Sequence, residues 1–98
     1  MLSKRLAQVL VYVGANVRRL RLLKGLTQAA LSEAADLETR FVQQIEAAQT
    51  NITLATLVAL ADALNVEPQR LLRKVAPLVR KPGRPAKTKK RAATQKRD

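Results

Sequence analysis

The stretch GLTQAALSEAADLETRFVQQIE, Gly25 to Glu46, holds two short helical patterns separated by three residues. Thr27 can cap the first, and Gln28–Ala35 is helix-rich with Leu31 and Ala34 on one face. The second spans about Thr39 to Ala47, where i, i+3, i+4 spacing buries Val42, Ile45 and Phe41. Phe41 reads as a core plug and not as a base stacker, since the chain holds only one Phe and one Tyr. Between the two patterns, Asp36-Leu37-Glu38 leaves room only for a sharp turn. Two helices across such a turn make the helix-turn-helix arrangement, whose second helix can lie in a DNA major groove.

Upstream, Leu6, Leu10, Val13, Val17 and Leu20 form an apolar stripe at steps of four and three. Gly14 interrupts it and marks a break between an extra helix, about 3–12, and a second helix, about 14–24. Val9, Val11 and Tyr12 add apolar surface, which either packs on the chain's own core or meets a second copy. Arg18, Arg19, Arg21 and Lys24 follow, with Arg18 and Arg21 on one edge. A charge run of this kind is a solvated face or a set of phosphate contacts.

Downstream, Thr53 caps a helix over 54–64 with Leu54, Leu57, Val58, Ala61 and Leu64 inward, and Asn65 ends it. Pro68 opens a fifth helix from a position where its missing N–H is no loss. Leu71, Leu72 and Val75 give that helix an apolar face for the core or a dimer. Beyond Val75 the composition changes to Pro77, Pro82, Pro85 and a dense Lys/Arg series. Such a segment cannot pack a core, so disorder is expected over 77–98. The organisation expected is a helical extension over 1–12, one domain over 13–76 and a basic tail.

Ninety-eight residues suit one small core, and the net charge is +12. Residues 80–98 contribute nine bases and one acid, whereas Arg40 is the only base within 25–68, against six acids. The unit expected to read DNA is therefore acidic, and its positive surroundings lie on its flanks. Cysteine and histidine are absent. That removes disulfides, thiolate metal sites and the usual neutral-pH acid–base group. No enzyme activity, cofactor or metal is expected. No apolar run reaches the ~20 residues of a membrane span. The Met-Leu-Ser-Lys-Arg opening looks like a signal-peptide start, but its apolar part is short and broken by Gln8, so it is read as helix.

Gly25-Leu26-Thr27-Gln28, Leu31, the turn, then Val42, Ile45 and Glu46 together resemble the lambda-repressor-like family of Xre and Cro-type regulators. The resemblance continues through Asn51, Leu54, Leu57, Ala61 and Leu64 and covers roughly 13–72. It departs at three places where the family usually has Gly, Gly and Pro: Asp36, Ala48 and Ile52. The run from Glu46 to Leu54 looks most like the controller proteins of restriction-modification systems, a small dimeric branch. The resemblance implies an all-α, five-helix DNA-binding domain. It implies Thr39, Arg40 and Gln44 at base-contacting positions, with Gln43 more peripheral. Arginine can fork onto guanine O6 and N7, and glutamine onto adenine N6 and N7. Glu38 either accepts from cytosine N4 or is a poor helix cap. Gln28, Arg18, Arg19, Lys24 and Asn51 are the phosphate candidates, and Arg21 with Glu46 is a structural ion pair. In the tail, Arg80-Lys81-Pro82-Gly83-Arg84-Pro85-Ala86-Lys87 resembles an AT-hook whose first core arginine is replaced by Pro82. Arg84 then enters the minor groove flanked by Arg80, Lys81 and Lys87, or the tail simply binds phosphates, or it only solubilises.

The function expected is a homodimeric, sequence-specific and autoregulatory transcription regulator on double-stranded DNA, located in the cytoplasm at the nucleoid. Two alternatives stand beside it. One is an antitoxin-like protein whose flanks engage a protein partner, and the other is a weakly specific architectural binder driven by the tail. No membrane association is expected.

Overall fold

The computed structural model describes residues 3–75. These form four α-helices, α1 (Lys4–Leu23), α2 (Gln28–Ala35), α3 (Thr39–Glu46) and α4 (Leu54–Leu64), followed by a 3-10 helix, Pro68–Leu72. There is no strand among the described residues. Three of the α-helices start on a hydroxyl cap. Ser3 accepts from the Leu6 N–H at 3.0 Å, Thr27 from Ala30 at 2.9 Å and Thr53 from Thr56 at 3.0 Å. Each such cap stabilises its helix by about 1 kcal/mol. α3 starts at Glu38 without a side-chain cap.

The four helices stop in one way. Gly25, Asp36, Ala48 and Asn65 carry φ of 70°, 59°, 58° and 60°. The next N–H in each case folds back five residues, from Leu26 to Arg21, Leu37 to Ser32, Gln49 to Gln44 and Val66 to Ala61, at 2.8–3.0 Å. This Schellman arrangement satisfies carbonyls that the helix end leaves free. Gly, Asp and Asn suit the left-handed backbone, and Ala does not.

The core joins all of these elements. Val13, Val17 and Leu20 of α1 meet Leu31 and Ala35 of α2, Val42 and Ile45 of α3, and Leu57, Leu60, Ala61 and Leu64 of α4. Leu71 of the 3-10 helix closes the cluster and is fully buried. Each buried Leu or Val contributes about 1.5–3 kcal/mol. α1 packs against α3, α4 and the 3-10 helix, and α2 packs against α3 and α4. α3 is thus held from two sides.

Four expectations need correction. Gly14 does not break the first helix, because α1 runs unbroken from Lys4 to Leu23. Its glycine answers instead to α3, whose last carbonyls lie against it. In α2, Ala35 is buried and Ala34 is exposed. In α4, Leu54 and Val58 are 77% and 42% exposed, while Leu60 is fully buried. The sequence LATLVALADAL is apolar nearly all round, so its periodicity does not choose a face; α2 and the 3-10 helix choose it. The fifth helix is a five-residue 3-10 helix with Leu72 44% exposed. It stops early because the buried Asn16 amide donates to the carbonyls of Leu71 and Arg73 at 3.0 and 2.9 Å, replacing helical partners. The expectations for 77–98 lie outside the described residues.

Candidate nucleic-acid interface

α3 has one face in the core and one outside. Val42 and Ile45 are buried, and Phe41 packs against the core from a half-buried position. On the opposite side Arg40, Gln43, Gln44, Ala47 and Gln49 line a shallow open concavity. Arg40 and Gln43 are exposed and Gln44 is half-buried. This row offers two amides and a guanidinium fork that pairs with no acid among the described residues, groups that match the donor and acceptor edges of bases. Thr39 is set apart from them, because its hydroxyl shares a 2.9 Å hydrogen bond with Ser32 of α2. That bond uses part of the hydrogen-bonding capacity of the hydroxyl and none of the methyl. Glu38 is exposed at the N-cap and bonds no backbone N–H there.

The far end of α3 is clamped. Arg21 donates from Nε to Glu46 Oε2 at 2.7 Å and from Nη2 to Oε1 at 3.0 Å, a two-pronged pair. Its third bond, from Nη1, goes to the Leu26 carbonyl at 2.9 Å. The side chains of Arg21 and Glu46 are 9% and 3% exposed. The hydrogen bond to Glu46 lifts the Arg21 pKa above its ordinary value; burial opposes this and the carboxylate's Coulomb attraction adds to it. Gln28 joins the same carboxylate, donating from Nε2 to Oε1 at 3.0 Å. One glutamate therefore gathers α1, the start of α2 and the end of α3. The Gln28 amide group is held there, half-buried, at the first residue of α2.

The other described phosphate candidates lie on α1 and in the segment before α4. Arg18, Arg19 and Lys24 are exposed at the C-terminal half of α1. Asn51 is exposed before α4, and its side-chain oxygen accepts from the Ile52 N–H at 2.9 Å. Arg80, Lys81, Arg84 and Lys87 lie outside the described residues.

The roles of four residues of this architecture escaped sequence reasoning. Gln49 joins the concavity from beyond the helix. Ser32 anchors Thr39, and Asn16 anchors the 3-10 helix. Gly14 seats α3 on α1. Only Gly14 carried a signal, since a lone glycine inside a helical pattern often marks a packing contact. The others are ordinary polar residues whose partners are distant in sequence or cross a turn.

The helix-turn-helix family model HTH_3 matches residues 17–71. A curated relative, the HTH-type transcriptional regulator PrpR of Mycobacterium tuberculosis, is 43% identical over 58 residues, 59% of this chain and 12% of that protein. The chain thus spans only about an eighth of PrpR, whose length is mostly unmatched. The control protein C.SmaI of Serratia marcescens is 39% identical over 57 residues, 58% of this chain and 68% of that protein. Among solved structures, the restriction-modification controller protein C.AhdI from Aeromonas hydrophila superposes with a TM-score of 0.62 at 39% identity. The match covers 63% of this chain and 94% of that one.

Proposed function

Since the chain belongs to the HTH_3 helix-turn-helix family of DNA-binding transcription regulators, we propose that it is a sequence-specific regulator that binds a two-fold operator as a homodimer and controls its own expression. The observation that carries this is the outward row of α3, where Arg40, Gln43 and Gln44 stand free of the core on a helix clamped at its far end. Arg40 takes the guanine contact and Gln44 the adenine contact, with Gln43 and Gln49 at the edge and the Thr39 methyl toward a thymine. Arg18, Arg19, Lys24 and Asn51, with the start of α2 at Gln28, supply phosphate contacts that set the register.

One such unit reads a half-site only. Dimers of this motif place two reading helices about 34 Å apart, one turn of DNA. Apolar surface for a second copy is present on α4 and the adjoining 3-10 helix, where Leu54, Val58 and Leu72 are exposed. Leu71 is excluded from that surface because it is fully buried. In the first half of α1, Val9 packs against the core and Val11 is exposed, so the extension serves mainly the chain's own fold; at the far end of α1, Leu22 and Leu23 are exposed as well. Likeness to controller proteins of restriction-modification systems supports a regulator that acts on its own operon.

Selection from random duplexes with purified protein tests the reading. The expected product is a palindromic site with a guanine at each half-site position facing Arg40. Arg40→Ala should then lower preference for that site over scrambled DNA by about 1–3 kcal/mol per half-site while leaving scrambled-DNA binding largely intact. An unaltered preference would mean that α3 is not the reader. Recovery of no preferred site, with steep salt dependence, would favour an architectural binder driven by the nine bases of residues 80–98.

A further inference from the structure

We propose that Gly14, which lies inside α1 and faces no base, sets the pose in which α3 meets DNA; this rests on the reading of α3 as the recognition helix. A Cβ built on Gly14 would lie 2.5 Å from the Ile45 carbonyl oxygen and 2.8 Å from that of Glu46. Both obstacles are backbone, so no side-chain rotation clears them. Ordinary contact begins near 3.4 Å, so any side chain here moves the end of α3 by up to about an ångström. Glycine is otherwise a poor choice in a helix interior, less favourable there than alanine. The approach of α3 is what this position accommodates.

The displaced end is not free to adjust alone. The Ile45 carbonyl also accepts from the Ala48 N–H at 3.0 Å, closing the helix. The Glu46 carboxylate is held by Arg21, seven residues along α1 from Gly14 and so on the same face. α3 is eight residues long, a rigid rod of about 12 Å. A shift or tilt at Ile45–Glu46 is therefore carried to Arg40, Gln43 and Gln44 on its outer row. Hydrogen bonds to base edges work only over a few tenths of an ångström around 2.7–3.2 Å. Phosphate contacts from exposed lysine and arginine tolerate far more. Gly14 is thus a positioning residue for base reading and not for DNA attachment.

The test compares Gly14→Ala with wild type for the duplex recovered by selection and for a scrambled duplex of equal length. It is made in the wild-type chain and again in an Ala48→Gly background of higher expected stability. Binding is measured at a temperature where circular dichroism shows full helicity. The expected result is a fall of about tenfold in the selected-to-scrambled affinity ratio, the scale of one weakened bidentate base contact, with scrambled affinity unchanged. A merely structural role lowers stability but leaves that ratio intact in the folded protein. A wild-type ratio in folded Gly14→Ala would overturn the proposal, as would failure to fold in both backgrounds, which assigns Gly14 to folding alone. Arg40→Ala serves as the reference. If it too keeps the wild-type ratio, the reading of α3 fails; if it alone loses the ratio, only the role of Gly14 fails.

Discussion

Ala48 is the residue at which side chain and backbone disagree most. Its φ of 58° matches those of Asp36 and Asn65, yet alanine has no polar group to offset the clash between Cβ and the following carbonyl. That conformation costs an L-residue roughly 1–2 kcal/mol. The helix end accepts the strain because the Schellman bond from Gln49 to Gln44, at 2.9 Å, and the clamp on Glu46 both depend on the turn. Ala48→Gly should therefore stabilise the domain by about 1 kcal/mol, after the glycine's greater unfolded-state entropy is subtracted. For a domain of this size that is a rise in Tm of about 4–8 °C. A thermal scan in which the variant melts at or below the wild-type temperature would show that no strain is stored at Ala48. The departure from the usual glycine was legible in the sequence, but the sign of φ was not, because a helix end can also be closed without a left-handed residue.

At the scale of elements, α3 is a short helix without a side-chain cap, and its neighbours hold it. Ser32 secures its start through Thr39, and Arg21 and Gln28 secure its end through Glu46. Removing either member of the Arg21–Glu46 pair strands a charge whose side chain is at most 9% exposed. The expected cost is about 3–5 kcal/mol, a large share of the roughly 5–15 kcal/mol that holds a domain together. Glu46→Met should thus melt far below wild type and lose DNA binding by unfolding. Adding Arg21→Met should recover part of the loss but not all, because Gln28 and the Leu26 carbonyl remain short of a partner. A double-mutant cycle on urea unfolding reads the coupling. Strictly additive single effects would contradict the clamp. The helix bounds of α2 and α3 and the capping hydroxyls of Thr27 and Thr53 were legible from local chemistry. The buried face of α4 was not, because a helix apolar on most sides takes its orientation from whatever packs against it.

At the scale of the molecule, charge is divided from shape. Residues 25–68 hold Arg40 against six acids, while 80–98 hold nine bases and one acid. Sequence choice and affinity should therefore separate. Deleting 77–98 should weaken binding to every duplex and flatten its salt dependence, the log–log slope shrinking by roughly 0.9 for each phosphate the shortened chain no longer neutralises. A titration at several salt concentrations measures this directly. A loss confined to sites with A·T-rich flanks would instead assign Arg84 to the minor groove. Equal affinity and slope after truncation would leave the tail without a role on DNA.

The sequence by itself determined what nearest neighbours along the chain can determine. Thr27 and Thr53 as caps, Asp36 and Asn65 as stops, the buried pairs Val13–Val17 and Val42–Ile45, and the division of charge all follow from spacing and local chemistry. The Arg21–Glu46 pair was legible only through likeness to a family, since the two residues are 25 apart. Tertiary structure alone decided the continuity of α1 through Gly14, the inward turn of Leu60 in place of Leu54, and the short 3-10 helix. It alone brought Gln28 to Glu46 and Asn16 to Leu71. In each case a second segment supplies the deciding atom: a carbonyl that excludes a Cβ, a helix that covers one face, or a carboxylate with room for another donor. Such atoms leave no periodic trace in the chain that meets them.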